Sequence, residues 1–144
     1  MPELQMYCDT LEVSLDVGPD IIDITPGLIR CVEASGINLG TVSATMVGST
    51  GSLTTIEYEP GVVEDLKQAV NRFAPPDITY AHELAWHDGN GHSHVQAAIM
   101  GPSLTLPIRG GRLQLGTWQQ AVAINHDNRS RRRSIEITIV GTTE

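Results

Sequence analysis

Ser103 to Ile108 and Arg112 to Leu115 alternate apolar with polar residues on either side of Arg109-Gly110-Gly111. Period two with one apolar face is the signature of a half-buried strand. A glycine-rich break between two such runs is a hairpin signal. The same alternation recurs along the chain. Leu11, Val13 and Leu15 alternate with Glu12, Ser14 and Asp16, and Val42, Ala44 and Met46 share one side of Thr41–Val47. Ile135, Ile137 and Ile139 alternate with Glu136 and Thr138. Ile21–Ile24, Leu53–Glu59 and Trp118–Asn125 read as further short strands. Strands that arrive in hairpins predict a largely antiparallel sheet rather than a doubly wound fold.

Helical spacing is confined to a few places. Thr25-Pro26 predicts a helix start, with Thr25 as N-cap, and Gly36 a stop. Val62, Val63, Leu66, Ala69, Val70 and Phe73 form the clearest helical stripe, ended by Ala74-Pro75-Pro76. Val95–Met100 is too short for periodicity to decide. Asn90 as a cap and Gly101-Pro102 as a stop favour a short helix there. The expected architecture is one domain over residues 1–144, α+β, with layered, largely antiparallel sheets and two or three helices.

Phe73 is the only Phe, so the core must be built from aliphatic side chains. The formal net charge of −8 argues against a nucleic-acid or anionic-membrane surface. Six of the nine basic residues nevertheless lie between Arg109 and Arg133, among which Asp127 is the only acid. Cys8 and Cys31 are too few for a disulfide framework and read as buried free thiols in a reducing compartment. With no basic-then-apolar leader and no membrane-length apolar run, a soluble cytoplasmic protein is expected.

Chemistry concentrates between Tyr80 and Gln119, which hold four of the five histidines and both tryptophans. His82, His87, His92 and His94 are flanked by Glu83 and Asp88. Neutral imidazole is the commonest transition-metal ligand, although these spacings match no standard zinc motif. His92 and His94 share a face on a strand but point about 200° apart on a helix. Asp88-Gly89-Asn90-Gly91 reads either as an ordinary turn or as an anion site at a helix start. Gly48–Thr54, with Ser49 and Thr50, is a weaker anion-loop candidate that lacks a Walker-type lysine. Glu57 is a candidate ligand or base. Trp118 and Gln119 are a candidate stacking wall and amide contact. Arg129, Arg131, Arg132 and Arg133 form a basic run whose functional reading is phosphate recognition, with Arg131 the chosen contact, or a subunit contact, against the alternative of a solvated turn.

The motifs H-E-x-x-W-H-D-G-N-G-H-S-H, G-P-S-L-T-L-P, L-G-T-W-Q-Q and T-T-I-E-Y-E-P-G, with D-N-R-x-R-R-R, resemble the YjbQ-like family over essentially the whole chain. The resemblance implies a trimer with an α+β fold. It also implies a weak thiamine-phosphate synthase activity, or another activity on a small phosphorylated or anionic metabolite. Catalytic roles then fall on His82, His94, Glu57 and Asp88. Substrate contacts fall on Asn90, Gly91, Ser49, Thr50, Trp118, Gln119 and Arg131. A divalent metal, zinc or magnesium, is expected on His82, His94 and His92. One position departs from the pattern: Gly48 stands where the family usually opens an H-T-T-A or H-T-S-A segment with histidine. Glycine offers neither ligand nor base, so a non-catalytic metal- or metabolite-binding trimer is the alternative.

Overall fold

The computed structural model describes residues 2–144. The chain runs β1 (Gln5–Leu15), β2 (Asp20–Asp23), α1 (Thr25–Ser35), β3 (Leu39–Met46), β4 (Gly51–Glu57) and α2 (Pro60–Phe73). It continues with α3 (Ala81–Trp86), α4 (Gly91–Met100), β5 (Ser103–Arg109), β6 (Arg112–Leu113), β7 (Gln119–Asn125) and β8 (Arg131–Thr142). A five-stranded sheet is ordered β1-β8-β3-β5-β6 and a three-stranded sheet β2-β7-β4. Every strand pair is antiparallel. The layered α+β arrangement is the expected one.

The alternating runs produce the layers. Ile135, Ile137 and Ile139 on β8 and Val42, Ala44 and Met46 on β3 turn their apolar face toward Leu53, Ala121 and Ala123 of the smaller sheet. Burying each large aliphatic side chain stabilises the fold by about 1.5–3 kcal/mol. Strand β7 is covered on both faces. Its other face, Val122 and Ile124, packs with Ile21, Ile56 and with Val63, Leu66 and Met100 from the helices. That second cover explains why its sequence is a continuous apolar run rather than an alternation. The β5–β6 turn uses Gly110 and Gly111 at φ 59° and 71°, as the hairpin reading requires.

Several local readings change. Thr25 does not cap α1; Ile24 holds that position. The Thr25 hydroxyl instead accepts from the Ala121 amide at 2.8 Å, tying the helix start to β7. Helix α2 is capped by Glu59, whose carboxylate accepts from the Gly61 and Val62 amides at 2.8 and 2.9 Å. The described residues contain four helices, because α3 is a separate six-residue helix. Cys31 is buried but Cys8 is exposed, since it pairs with Thr138 on the outward face of β1, out of phase with Leu11, Val13 and Leu15; both thiols are free. Among the described residues no helix is long and apolar enough to cross a membrane.

Gly40 and Gly141 face each other across β3 and β8. A Cβ on Gly40 would lie 2.2 Å from the Val140 carbonyl oxygen, and one on Gly141 2.2 Å from the Leu39 carbonyl oxygen. Gly40→Ala is expected to destabilise the fold by about 1–3 kcal/mol, because backbone must move to admit the methyl group. Urea denaturation checks this, and an unchanged midpoint would contradict the close approach.

Candidate functional site

Two connected groups of polar residues sit where α3 and α4 meet the β7–β8 connection. The outer group is carried by α3 and the start of α4. His82 lies in α3, and its Nε2 is 3.3 Å from Asp88 Oδ1. Its ring centroid is 4.6 Å from that of His94 in α4 and 6.5 Å from that of Trp86. Burial would raise the Asp88 carboxyl, but the Asn90 amide and His82 together hold it below the usual range.

The two short helices are joined by one side chain. Glu83 Oε2 accepts from the Tyr80 amide at 3.1 Å, and Oε1 accepts from the Gly91 amide at 2.9 Å. A Cβ at Gly91 would lie 2.5 Å from Tyr80 Cβ, so glycine permits this close approach. Of the two readings of Asp88–Gly91, the structure gives the ordinary turn, with its Asn90 and Gly91 amides engaged within the protein. The Asn90 amide already donates to Asp88 Oδ1 at 3.1 Å and the Gly91 amide to Glu83. Asn90 and Gly91 are themselves buried.

The inner group is a buried network in which Ser52, Gln96 and His126 lie outside every motif of the sequence. His126, at the end of β7, is 1% exposed. Its Nδ1 lies 2.8 Å from Gln96 Oε1 and its Nε2 2.7 Å from Ser52 Oγ. Gln96 Nε2 faces the Val70 and Ala74 carbonyls and Asn71 Oδ1, which fixes Oε1 as the acceptor. His126 therefore donates from Nδ1 and accepts the Ser52 hydroxyl at Nε2, which is the neutral tautomer. Burial first, then the charges of Arg133 and His92, push its pKa down to about 4. Gln96→Leu is expected to destabilise the fold by about 3 kcal/mol, since it strands the His126 donor and helix-end carbonyls together. Thermal denaturation checks this; a stability equal to wild type would contradict the network.

Beside it, Asp127 is buried. Burial alone would raise its pKa, but bonds from Thr50, Arg131 and Asn90 overcome this and lower it. Thr50 Oγ1 donates to Asp127 Oδ2 at 2.9 Å and accepts from Arg133 Nη2 at 2.7 Å. Arg131 Nε donates to Asp127 Oδ2 at 3.0 Å, so the predicted phosphate contact is held by a carboxylate. Ser93 Oγ donates to the His126 carbonyl at 2.6 Å, which locks α4 onto this network.

The expected site residues thus divide. His82, Asp88 and His94 come together. His94 also borders a groove of about 230 Å³ lined by Gly48, Ser49, Gly51, Ala97, Ala98 and Pro102. Thr50 is buried beneath that loop. Helix α4 starts at Gly91, so His92 and His94 diverge by about 200°. His92 is buried, and burial lowers its pKa. The three-histidine metal set does not converge. Among the described residues no three His, Cys, Asp or Glu side chains are arranged to hold a metal ion.

Glu57, Trp118 and Gln119 lie elsewhere in the chain. Glu57 pairs with Gln119 at one end of the β4–β7 ladder, whereas Gly51 and Asn125 pair at the other. Six residues of strand separate those ends by about 20 Å. Gln119 lines a different cavity of about 390 Å³, between α1 and the β5–β6 hairpin. Its side chain bonds Thr55 and the Gly116 amide. His126 and Gln96 could have been suspected from sequence only as polar residues inside apolar runs, whereas Arg133 stood in the basic run and was marked as inward only by its register with Ile135, Ile137 and Ile139.

Comparison with known proteins agrees with this architecture. Residues 9–142 match the family described as UPF0047 protein YjbQ-like. A UPF0047 protein from Methanothermobacter thermautotrophicus is 29% identical over 96% of this chain and 94% of its own length. One from Archaeoglobus fulgidus is 34% identical over 81% of this chain and 88% of its own. The crystal structure of a protein of unknown function from Sulfolobus solfataricus P2 superimposes with a TM-score of 0.92 at 31% identity. It covers 96% of this chain and 99% of that one. A hypothetical protein from Aeropyrum pernix K1 gives a TM-score of 0.87 at 26% identity, over 94% of this chain and 98% of that one. With its family match, its two antiparallel sheets and its histidine-bearing helix pair, the chain belongs to the YjbQ-like UPF0047 family.

Proposed function

We propose that the His82–Asp88–His94 face and the adjoining groove act on a small phosphorylated metabolite, with a weak thiamine-phosphate synthase reaction as the assayable activity. The observation that carries the reading is the Asp88 carboxylate on His82 Nε2, with His94 packed against the same ring. A carboxylate on one ring nitrogen fixes the tautomer and leaves the other nitrogen, Nδ1, to give or take a proton. In this reading the substrate occupies the groove that His94 lines, next to the His82 ring. Joining a pyrimidine diphosphate to a thiazole phosphate displaces pyrophosphate, and a protonated imidazole suits that leaving group. His82, His94 and Asp88 are three donors, but among the described residues they are not arranged to hold a metal ion, so the reading uses His82 and His94 as acid–base groups.

A homotrimer in the cytoplasm belongs to the same reading. Trp86 and Trp118 are 71% and 75% exposed, which is unusual for indoles on a lone chain and suits burial between copies. Packing between copies is also what would bring a Glu57–Trp118–Gln119 end close to the histidines of a neighbour. Light scattering of the purified protein is expected to give three times the chain mass; a monomer would remove this part. The activity is tested by thiamine phosphate formation in wild type, His82→Ala and His94→Ala, with folding verified. Equal product from all three overturns the catalytic reading. It would favour the non-catalytic metabolite binder, for which the glycine at position 48 speaks.

A further inference from the structure

Arg133 occupies an inward position on β8, in line with Ile135, Ile137 and Ile139, and is only 6% exposed. Both of its hydrogen bonds leave from Nη2, to Thr50 Oγ1 at 2.7 Å and Asn125 Oδ1 at 2.6 Å. Nε is buried without any partner. Neither acceptor is charged, and no carboxylate forms an ion pair with this guanidinium among the described residues. The nearby Asp127 is engaged by Arg131 and Thr50. One carboxylate therefore faces two guanidinium groups, and the buried one lacks a direct counter-charge. A buried cation without an anion is costly, and an orphaned buried donor in a native fold calls for an explanation.

The loop above it supplies one. Gly48 is exposed and has φ 135°, and a Cβ there would lie 2.8 Å from Arg133 Nη1. A Cβ on Gly51 would lie 3.2 Å from Arg133 Nε. Both glycines line the groove that His94 borders. The two guanidinium nitrogens that make no hydrogen bond thus lie against the backbone of Gly48 and Gly51, with Met46 Cγ beside Gly51.

We infer that Arg133 is the receptor for a phosphate group of the ligand, reached through the Gly48–Gly51 loop from the His94 groove. The phosphate oxygens accept from Nη1 and Nε and provide the missing counter-charge, a pairing for which guanidinium geometry is suited. The inference rests on the reading of this groove as the binding site of a phosphorylated metabolite. It gives position 48 a positive role, because any side chain there would press on the receptor.

The test is titration of ¹⁵N-labelled wild-type protein with inorganic phosphate, following the Arg133 Nε–H resonance, assigned by its absence in Arg133→Lys. A saturable shift of that resonance is expected, with a weaker response to acetate. Calorimetry with phosphate should show affinity weakened by about tenfold or more in Arg133→Met and in Gly48→Ala, as loss of a charged hydrogen-bond donor predicts. An Arg133 resonance that stays fixed while phosphate moves others overturns the inference, and the titration itself is read on wild-type protein. Acetate acting as strongly as phosphate overturns the phosphate assignment. Loss of product formation in His82→Ala bears on the histidines alone, so the two readings can fail separately.

Discussion

His82→Ala is expected to lower the rate of thiamine phosphate formation by about 10²–10⁴-fold, the usual contribution of a positioned acid–base group. The argument is geometric. His82 sits on a helix whose start is fixed by Tyr80 and Glu83, and Glu83 also holds the Gly91 amide at the start of α4. The imidazole is thus carried by two helices tied to each other, and its Nε2 is held by Asp88. Asp88→Asn keeps the shape but removes the charge that selects the tautomer. It should lower kcat while leaving KM close to wild type, because no substrate contact is removed. A reduced kcat/KM arising wholly from KM in both variants would instead assign these residues to binding. Steady-state kinetics on folded variants reads the difference.

The second expected result concerns acid. His126 has a folded pKa of about 4 against an ordinary value of 6.5. Between those values the unfolded chain binds a proton that the folded chain refuses. Stability therefore rises with pH across the window, is fully present above 6.5 and falls as pH drops toward 4. The whole shift corresponds to about 3 kcal/mol, of which about 2 kcal/mol is lost by pH 5. His92, whose pKa burial also lowers, adds in the same direction. Arg133 faces His126 and strengthens the effect, and Ser52 and Gln96 are neutral partners that cannot offset it. Urea midpoints at pH 7.5 and pH 5 measure this, with His126→Gln as the control that should flatten most of the slope. A wild-type midpoint independent of pH in this range would mean that the imidazole is not held neutral.

Elements governed by period were legible from sequence. The strand Ile135-Glu136-Ile137-Thr138-Ile139 and the hairpin around Gly110-Gly111 needed only local alternation and turn chemistry. The stripe from Val62 to Phe73 gave α2 for the same reason. Helix α3 was not legible, because six residues are too few for a period and its stability comes from Tyr80, Glu83 and Gly91. Thr25 was misread as a cap because sequence shows a hydroxyl before a helix but not the Ala121 backbone that claims it.

The candidate site divides along the same line. A dense histidine stretch located His82, Asp88 and His94, since loop and short-helix neighbours remain neighbours in space. Sequence alone also supplied the antiparallel layered class and the family motifs. Only the tertiary structure separated His92 from His94, by making that segment a helix, and moved Glu57, Trp118 and Gln119 to the far end of β7. Only the tertiary structure assembled Ser52, Gln96, His126, Thr50, Asp127 and Arg133, which come from five different elements and connections. The physical reason is that a local pattern fixes which way a side chain faces. What a buried polar group meets there depends on which strand and helix are brought against it.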